Sequence, residues 1–252
     1  MAKKAYQYFG TTILLALFLG SGCAMEDDDQ GGVDSEATAD ETGVISEALS
    51  GRGTGLVSTE DQEKFGLTMV SMGNVRGLPD IVCSGVAIGT RTVMFGSRCG
   101  IDDKFGFGVT FLRQHYWGAS YHEFGKVAFM ILKEDLRDRD GRIWKPRTHL
   151  RDAGGNVALE GTPVVCMGME EDGVRSSWRY AFMTIDEVFG GDNVLVPSHS
   201  TIQVRDNGAS GVPCFHGLEQ RAMIYRDDGR DFLGVSIGRS IADEAVRVSP
   251  DL

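Results

Sequence analysis

The residues of this 252-residue chain that could carry chemistry centre on two short stretches. Residues 207–213 read Asn-Gly-Ala-Ser-Gly-Val-Pro, and residues 92–99 read Thr-Val-Met-Phe-Gly-Ser-Arg-Cys. A serine such as Ser210 is a poor nucleophile at its ordinary pKa and depends on an adjacent base. Arg98 is not a base, because its guanidinium stays protonated and only donates. Of His115, His122, His149, His199 and His216, scattered along the chain, His122 is the most plausible relocated base. To serve, it must come within a hydrogen bond of Ser210. No pair of histidines or acids has metal-ligand spacing, and Asp135, Asp138 and Asp140 alternate with basic residues as in a solvated turn. Neither a metal nor another cofactor is expected.

The elements that must position these residues are short strands. With 42% hydrophobic residues, 34 glycines and only 6 prolines, the composition is that of a turn-rich globular domain. Strand-length apolar runs occur at 67–72, 81–88, 92–95, 108–112, 127–132, 162–167, 180–185, 194–196, 201–204, 221–225 and 233–237, several of them ending at Gly, Asn or Asp. One helical stretch is expected, short and near the end, over 241–248. The pattern is that of an all-β sandwich or barrel pair. A net charge of −11 speaks against a nucleic-acid partner, which needs a concentrated basic surface.

Taken together and in order, several stretches resemble the trypsin-like serine proteases. Residues 207–213 are similar to the family's Gly-Asp-Ser-Gly-Gly-Pro, and 92–99 to its Trp-Val-Leu-Thr-Ala-Ala-His-Cys. Cys83-Ser-Gly resembles the strand ahead of the family's base, and residues 126–132, Lys-Val-Ala-Phe-Met-Ile-Leu, the strand that begins with its aspartate. Residues 233–238 resemble the strand against which substrate pairs. The resemblance implies two packed six-stranded antiparallel barrels over residues 56–252.

It also implies a degenerate site. Ser210 stands at the nucleophile, Arg98 replaces the base histidine, and Lys126 replaces the aspartate that should orient it. The backbone amides of Gly208 and Ser210 match the oxyanion hole. Ala209 replaces the aspartate that anchors a freshly cleaved N-terminus, and Val204, Ser236 and Gly238 match the specificity pocket. A lysine base is the one enzymatic escape, if the charge of Arg98 lowers the pKa of Lys126. The family's bridges imply Cys83–Cys99, sixteen residues apart, and Cys166–Cys214.

The N-terminus reads as an export address. Lys3 and Lys4 precede an apolar core over 13–19, too short to span a bilayer. The following Leu-Gly-Ser-Gly-Cys resembles a bacterial lipobox, with Cys23 as the lipid-bearing residue. Residues 24–50 then carry nine acids and no lysine or arginine, the composition of an extended tether. The expected layout is a signal peptide at 1–22, a lipidated Cys23 with its tether to 55, and the protease-like domain from 56. The leading expectation is a catalytically inactive, membrane-anchored envelope protein that binds a protein or peptide. The alternatives are an active serine endopeptidase, a purely structural envelope lipoprotein and, for location, simple secretion.

Overall fold

The computed structural model describes residues 54–73, 79–99, 101, 106–150, 160–171, 176–189, 192–197, 211–227, 232–249 and 251–252. The chain order is β1 (Thr54–Leu56), α1 (Thr59–Phe65), β2 (Leu67–Gly73), β3 (Pro79–Ala87), β4 (Thr92–Gly96), a single 3-10 turn (Ser97–Cys99), β5 (Phe107–Phe111), β6 (Gln114–Phe124) and β7 (Val127–Leu132). It continues through β8 (His149–Leu150), β9 (Pro163–Glu171), β10 (Ser176–Phe189), β11 (Asp192–Pro197), β12 (Val212–His216), β13 (Glu219–Asp227), β14 (Phe232–Ser236) and α2 (Arg239–Val248).

Six strands close the first barrel in the order β2-β3-β4-β7-β6-β5. The second runs β9-β10-β11-β14-β13-β12 and closes on β9, with β1 added beside β10 and β8 running parallel to β13. The two expected six-stranded barrels are therefore present, and closure leaves few open strand edges. The expected terminal helix is α2, two residues longer at its start than the apolar pattern indicated.

Alternation along the strands builds three cores. On β7, Ala128 and Met130 point into the first barrel, while Val127 and Phe129 point into a layer shared with the second. Both faces of this strand are buried, so its sequence is a continuous apolar run rather than an alternating one. On β13, Ala222 and Ile224 fill the second barrel while Met223 joins the shared layer. Both disulfides form as the resemblance implied. Cys166 and Cys214 are direct cross-strand partners on β9 and β12, with Cα atoms 4.0 Å apart.

Among the described residues β1, α1, β6, β8 and β12 fall where the sequence reading placed no element. Thr54 and Gly55, expected as the end of the tether, form β1 with Leu56 against β10, where a side chain at Gly55 would displace the Tyr180 ring. α1 was not anticipated. Its signals are local: the Ser58 hydroxyl accepts from the Asp61 amide at 3.0 Å, and Gly66 ends the helix at φ 66°. The helix bridges the barrels, with Phe65 4.9 Å from Phe215 between ring centroids and the Glu63 carbonyl accepting from the Trp144 indole at 2.9 Å. The expected strand at 201–204 lies outside the described residues.

The chain returns after α2 to clasp the first barrel. The Asp251 carboxylate accepts from the Thr90 hydroxyl (2.9 Å), the Arg91 amide (2.6 Å), the Thr92 hydroxyl (2.8 Å) and the Ser249 hydroxyl (2.6 Å). Burial alone would raise its pKa. The donors from Ser249, Thr92, Arg91 and Thr90 outweigh that and hold it below the ordinary carboxylate value. A depressed folded pKa gives stabilisation that is whole above the unfolded value of about 3.9 and is lost as pH falls through the folded one. Asp251→Asn, which turns an amide against these donors, should therefore cost about 1–3 kcal/mol at neutral pH. Urea midpoints of the two proteins should differ at neutral pH and converge in strong acid.

Candidate functional site

Arg98 is held from both sides. Its neighbour Cys99 is bridged to Cys83 on β3, and its other neighbour, Ser97, is pegged to the β6–β7 turn. There the Ser97 amide donates to the Lys126 carbonyl at 3.0 Å and its hydroxyl to the Gly125 carbonyl at 3.1 Å. Gly125 has φ 62°, the left-handed geometry that lets this turn close. The sequence positions of base and orienting group are thus brought together by two short loops tied to each other.

Both side chains meet Tyr225 of β13, across the barrel junction. The Arg98 guanidinium lies 5.7 Å from the Tyr225 ring centroid and the Lys126 ammonium 4.4 Å from it. Lys126 also donates to the Tyr225 hydroxyl at 3.0 Å and is ion-paired with Asp192 at the start of β11. Tyr225 is only 8% exposed, so the two cations share a fixed aromatic wall. Burial pulls the Lys126 ammonium down, but hydrogen bonds to Asp192 and Tyr225 and their charges outweigh it, and its pKa is raised. The shift is opposite to the one a lysine base would need. The nearby charge of Arg98 does not make Lys126 a base, because Asp192 supplies a closer opposite charge that favours the protonated form.

No family model and no curated protein matches the chain. Solved structures do. Human heparin binding protein aligns at 14% identity over 80% of this chain and 98% of its own, with a TM-score of 0.62. A scabies mite inactivated protease paralogue aligns at 12% identity over 77% and 100%, with a TM-score of 0.61. Neuropsin, a serine protease of mouse brain, aligns at 12% identity over 79% and 99%, with a TM-score of 0.58. The chain has the chymotrypsin fold.

The stretch read from sequence as the serine loop is described only from Gly211 onward. Ser210, with Gly208, Ala209 and Val204, lies outside the described residues. The next residue, Gly211, donates its amide to the Ile224 carbonyl at 2.8 Å and packs against the Ser84 carbonyl and the Gly96 amide. Gly96 immediately precedes the turn that carries Arg98. The backbone that follows Ser210 therefore meets the backbone that leads into Arg98.

The strand beside Arg98 and Lys126 is β13, through Tyr225. Ser236, read from sequence as part of a specificity pocket, sits on β14 and donates its hydroxyl to the buried Asn193 at 2.7 Å. Gly238 is the N-terminal cap of α2. Sequence reasoning missed Tyr225 and Asp192. Neither lies in a motif, and each reaches Lys126 from a distant part of the chain.

The histidines are engaged elsewhere. His122 lies 2.6 Å from Glu244 and 3.1 Å from Arg247, both on α2, and Glu244 is itself held down to about 2, first of all by its hydrogen bond with Arg247. His115 is edge-on to Trp117 at 4.6 Å, and burial lowers its pKa. The His216 ring bonds the Pro163 carbonyl at 3.0 Å. None of these three contacts Arg98, Lys126 or Tyr225. Among the described residues no group of three acids, cysteines or histidines could hold a metal. Asp138 closes a tight turn by accepting from the Asp140 and Arg142 amides.

Proposed function

We propose that this is an exported chymotrypsin-fold domain that binds protein or peptide segments without cutting them. The reading rests on one observation. The positions of the catalytic base and its orienting carboxylate hold Arg98 and Lys126, and both are committed to Tyr225, with Lys126 also held by Asp192. A serine nucleophile needs an acceptor, whereas Arg98 and Lys126 are protonated donors, and Ala209 carries no carboxylate to organise an oxyanion hole. The same contacts hinge the two barrels together, which gives the substituted residues a structural use. A cleft shaped for extended peptide can still pair with one by strand addition. The solved neighbours include an inactivated protease paralogue and a heparin binding protein, so work other than cleavage has precedent on this fold.

The decisive test is labelling of the purified protein with a serine-directed phosphonate, read by intact mass, beside a peptide-hydrolysis assay. No adduct and no turnover are expected. Turnover that vanishes in Ser210→Ala would overturn the reading in favour of an active endopeptidase.

Two disulfides fit an oxidising, exported location. We place the protein on the membrane through a lipid on Cys23, with the acidic residues behind it as the tether. Mass spectrometry of the mature N-terminus should find an acylated Cys23 as the first residue. Cleavage elsewhere, leaving that cysteine unmodified, would refute the anchor.

A further inference from the structure

Two cations share the Tyr225 ring, and only one of them has its counter-charge. Lys126 is neutralised by Asp192. Arg98 is exposed and, among the described residues, makes no hydrogen bond or ion pair. Its backbone is nonetheless fixed, by the Cys83–Cys99 bridge on one side and by the two Ser97 hydrogen bonds on the other. A guanidinium backed by an aromatic face and mounted on a rigid turn is pre-organised for a planar anion. It offers parallel N–H donors that match a carboxylate two at a time.

We propose that Arg98 takes one carboxylate of the peptide bound in the cleft, with Tyr225 behind it and Lys126 as the second positive charge. The assignment rests on the peptide-binding reading above and names its ligand class: a segment carrying an acidic side chain or its own C-terminal carboxylate. Charge sets the number. With Lys126 already paired to Asp192, the cluster carries, among the described residues, one uncompensated positive charge, so one carboxylate completes it. A polyanion would bring further charges toward a protein of net charge −11. The ligand carboxylate would do for Arg98 what Asp192 does for Lys126.

The test uses the purified protein and fluorescein-labelled hexapeptide pools followed by fluorescence polarisation. The pools are random except for one central residue, fixed as Glu, Gln or Lys, and each is made with a free or an amidated C-terminus. The Glu amide pool should bind about 10-fold more tightly than the Gln amide pool, the scale of one charge-assisted hydrogen-bonded contact. That gap should close in Arg98→Gln, narrow in Arg98→Lys, which keeps the charge but loses the fork, and shrink as salt is raised. Arg98→Gln should keep the cooperative thermal melt of the wild type, showing that the fold is intact. A gap appearing only between free and amidated C-termini would assign the carboxylate to the chain end. Equal binding of all pools, a preference for Lys, or a Glu preference that survives Arg98→Gln would overturn the assignment while leaving peptide binding in place. Binding of no pool would overturn both.

Discussion

Histidine and aspartate at the positions the proposed function assigns to the base and its orienting group should not by themselves give a protease: Arg98→His with Lys126→Asp should react with a serine-directed phosphonate about 100-fold more slowly than the same protein with Asp192→Asn added. The reason lies in the partner of Lys126. The ion pair with Asp192 and the bond to the Tyr225 hydroxyl show that the carboxylate of Asp192 already occupies the neighbourhood an orienting aspartate would enter. Lys126→Asp exchanges attraction for repulsion between two carboxylates. At about 4 Å and an effective dielectric near 20 that repulsion is worth about 4 kcal/mol. One carboxylate would take up a proton or swing away, leaving the new imidazole without its orienting acceptor, a defect worth about 10⁴-fold in a working triad. Asp192→Asn removes the competing charge and keeps the shape. Labelling followed by intact mass, with Ser210→Ala in each background as the blank, measures the ratio. Equal rates in the double and triple variants would refute the role given to Asp192. The triple variant should still fall short of a working protease, because Ala209 supplies no anchor for a released N-terminus.

Gly211→Ala should destabilise the protein by about 2–5 kcal/mol, more than an alanine at another glycine of similar backbone geometry. Gly211 has φ 85°, and an added Cβ there would meet the Gly96 amide at 2.9 Å and the Ser84 carbonyl more closely still. Left-handed backbone costs a residue with a side chain about 1–2 kcal/mol, and forcing two packed strands apart adds about 1–3 kcal/mol. Both obstructing atoms belong to backbone, on β3 and β4, and cannot rotate aside. Gly125 isolates the first effect from the second, because its φ is 62° but a Cβ there meets nothing within 4 Å. Gly125→Ala should cost about 1–2 kcal/mol. At this chain length the Gly211 variant should melt roughly 10 °C lower. Similar melting temperatures for the two variants would show that the strands yield to the side chain, and the close-packing argument would fall.

The sequence by itself determined the scaffold. Strand-length runs of apolar residues placed most of the described strands, because burial on one or both faces writes itself into residue type at every position. The exact span 127–132 of β7 was legible in its apolar run, and the pairings Cys83–Cys99 and Cys166–Cys214 through the resemblance to the trypsin-like proteases. So was the absence of an acceptor at Arg98, since guanidinium chemistry does not depend on the fold. What escaped was either weakly patterned or non-local. In β6, Tyr116 alone is wholly buried, so no alternation marks that strand. α1 is carried by its caps at Ser58 and Gly66 rather than by an apolar stripe. The tertiary structure alone decided what surrounds Lys126, because Asp192 and Tyr225 arrive from 66 and 99 residues downstream. It thereby raised the lysine's pKa and put Tyr225 of β13 beside Arg98 and Lys126. A hydrophobic pattern is a property of one segment and can be read along it. The charge state of a side chain depends on which distant groups the two barrels bring within hydrogen-bonding reach, and that is settled only when they pack.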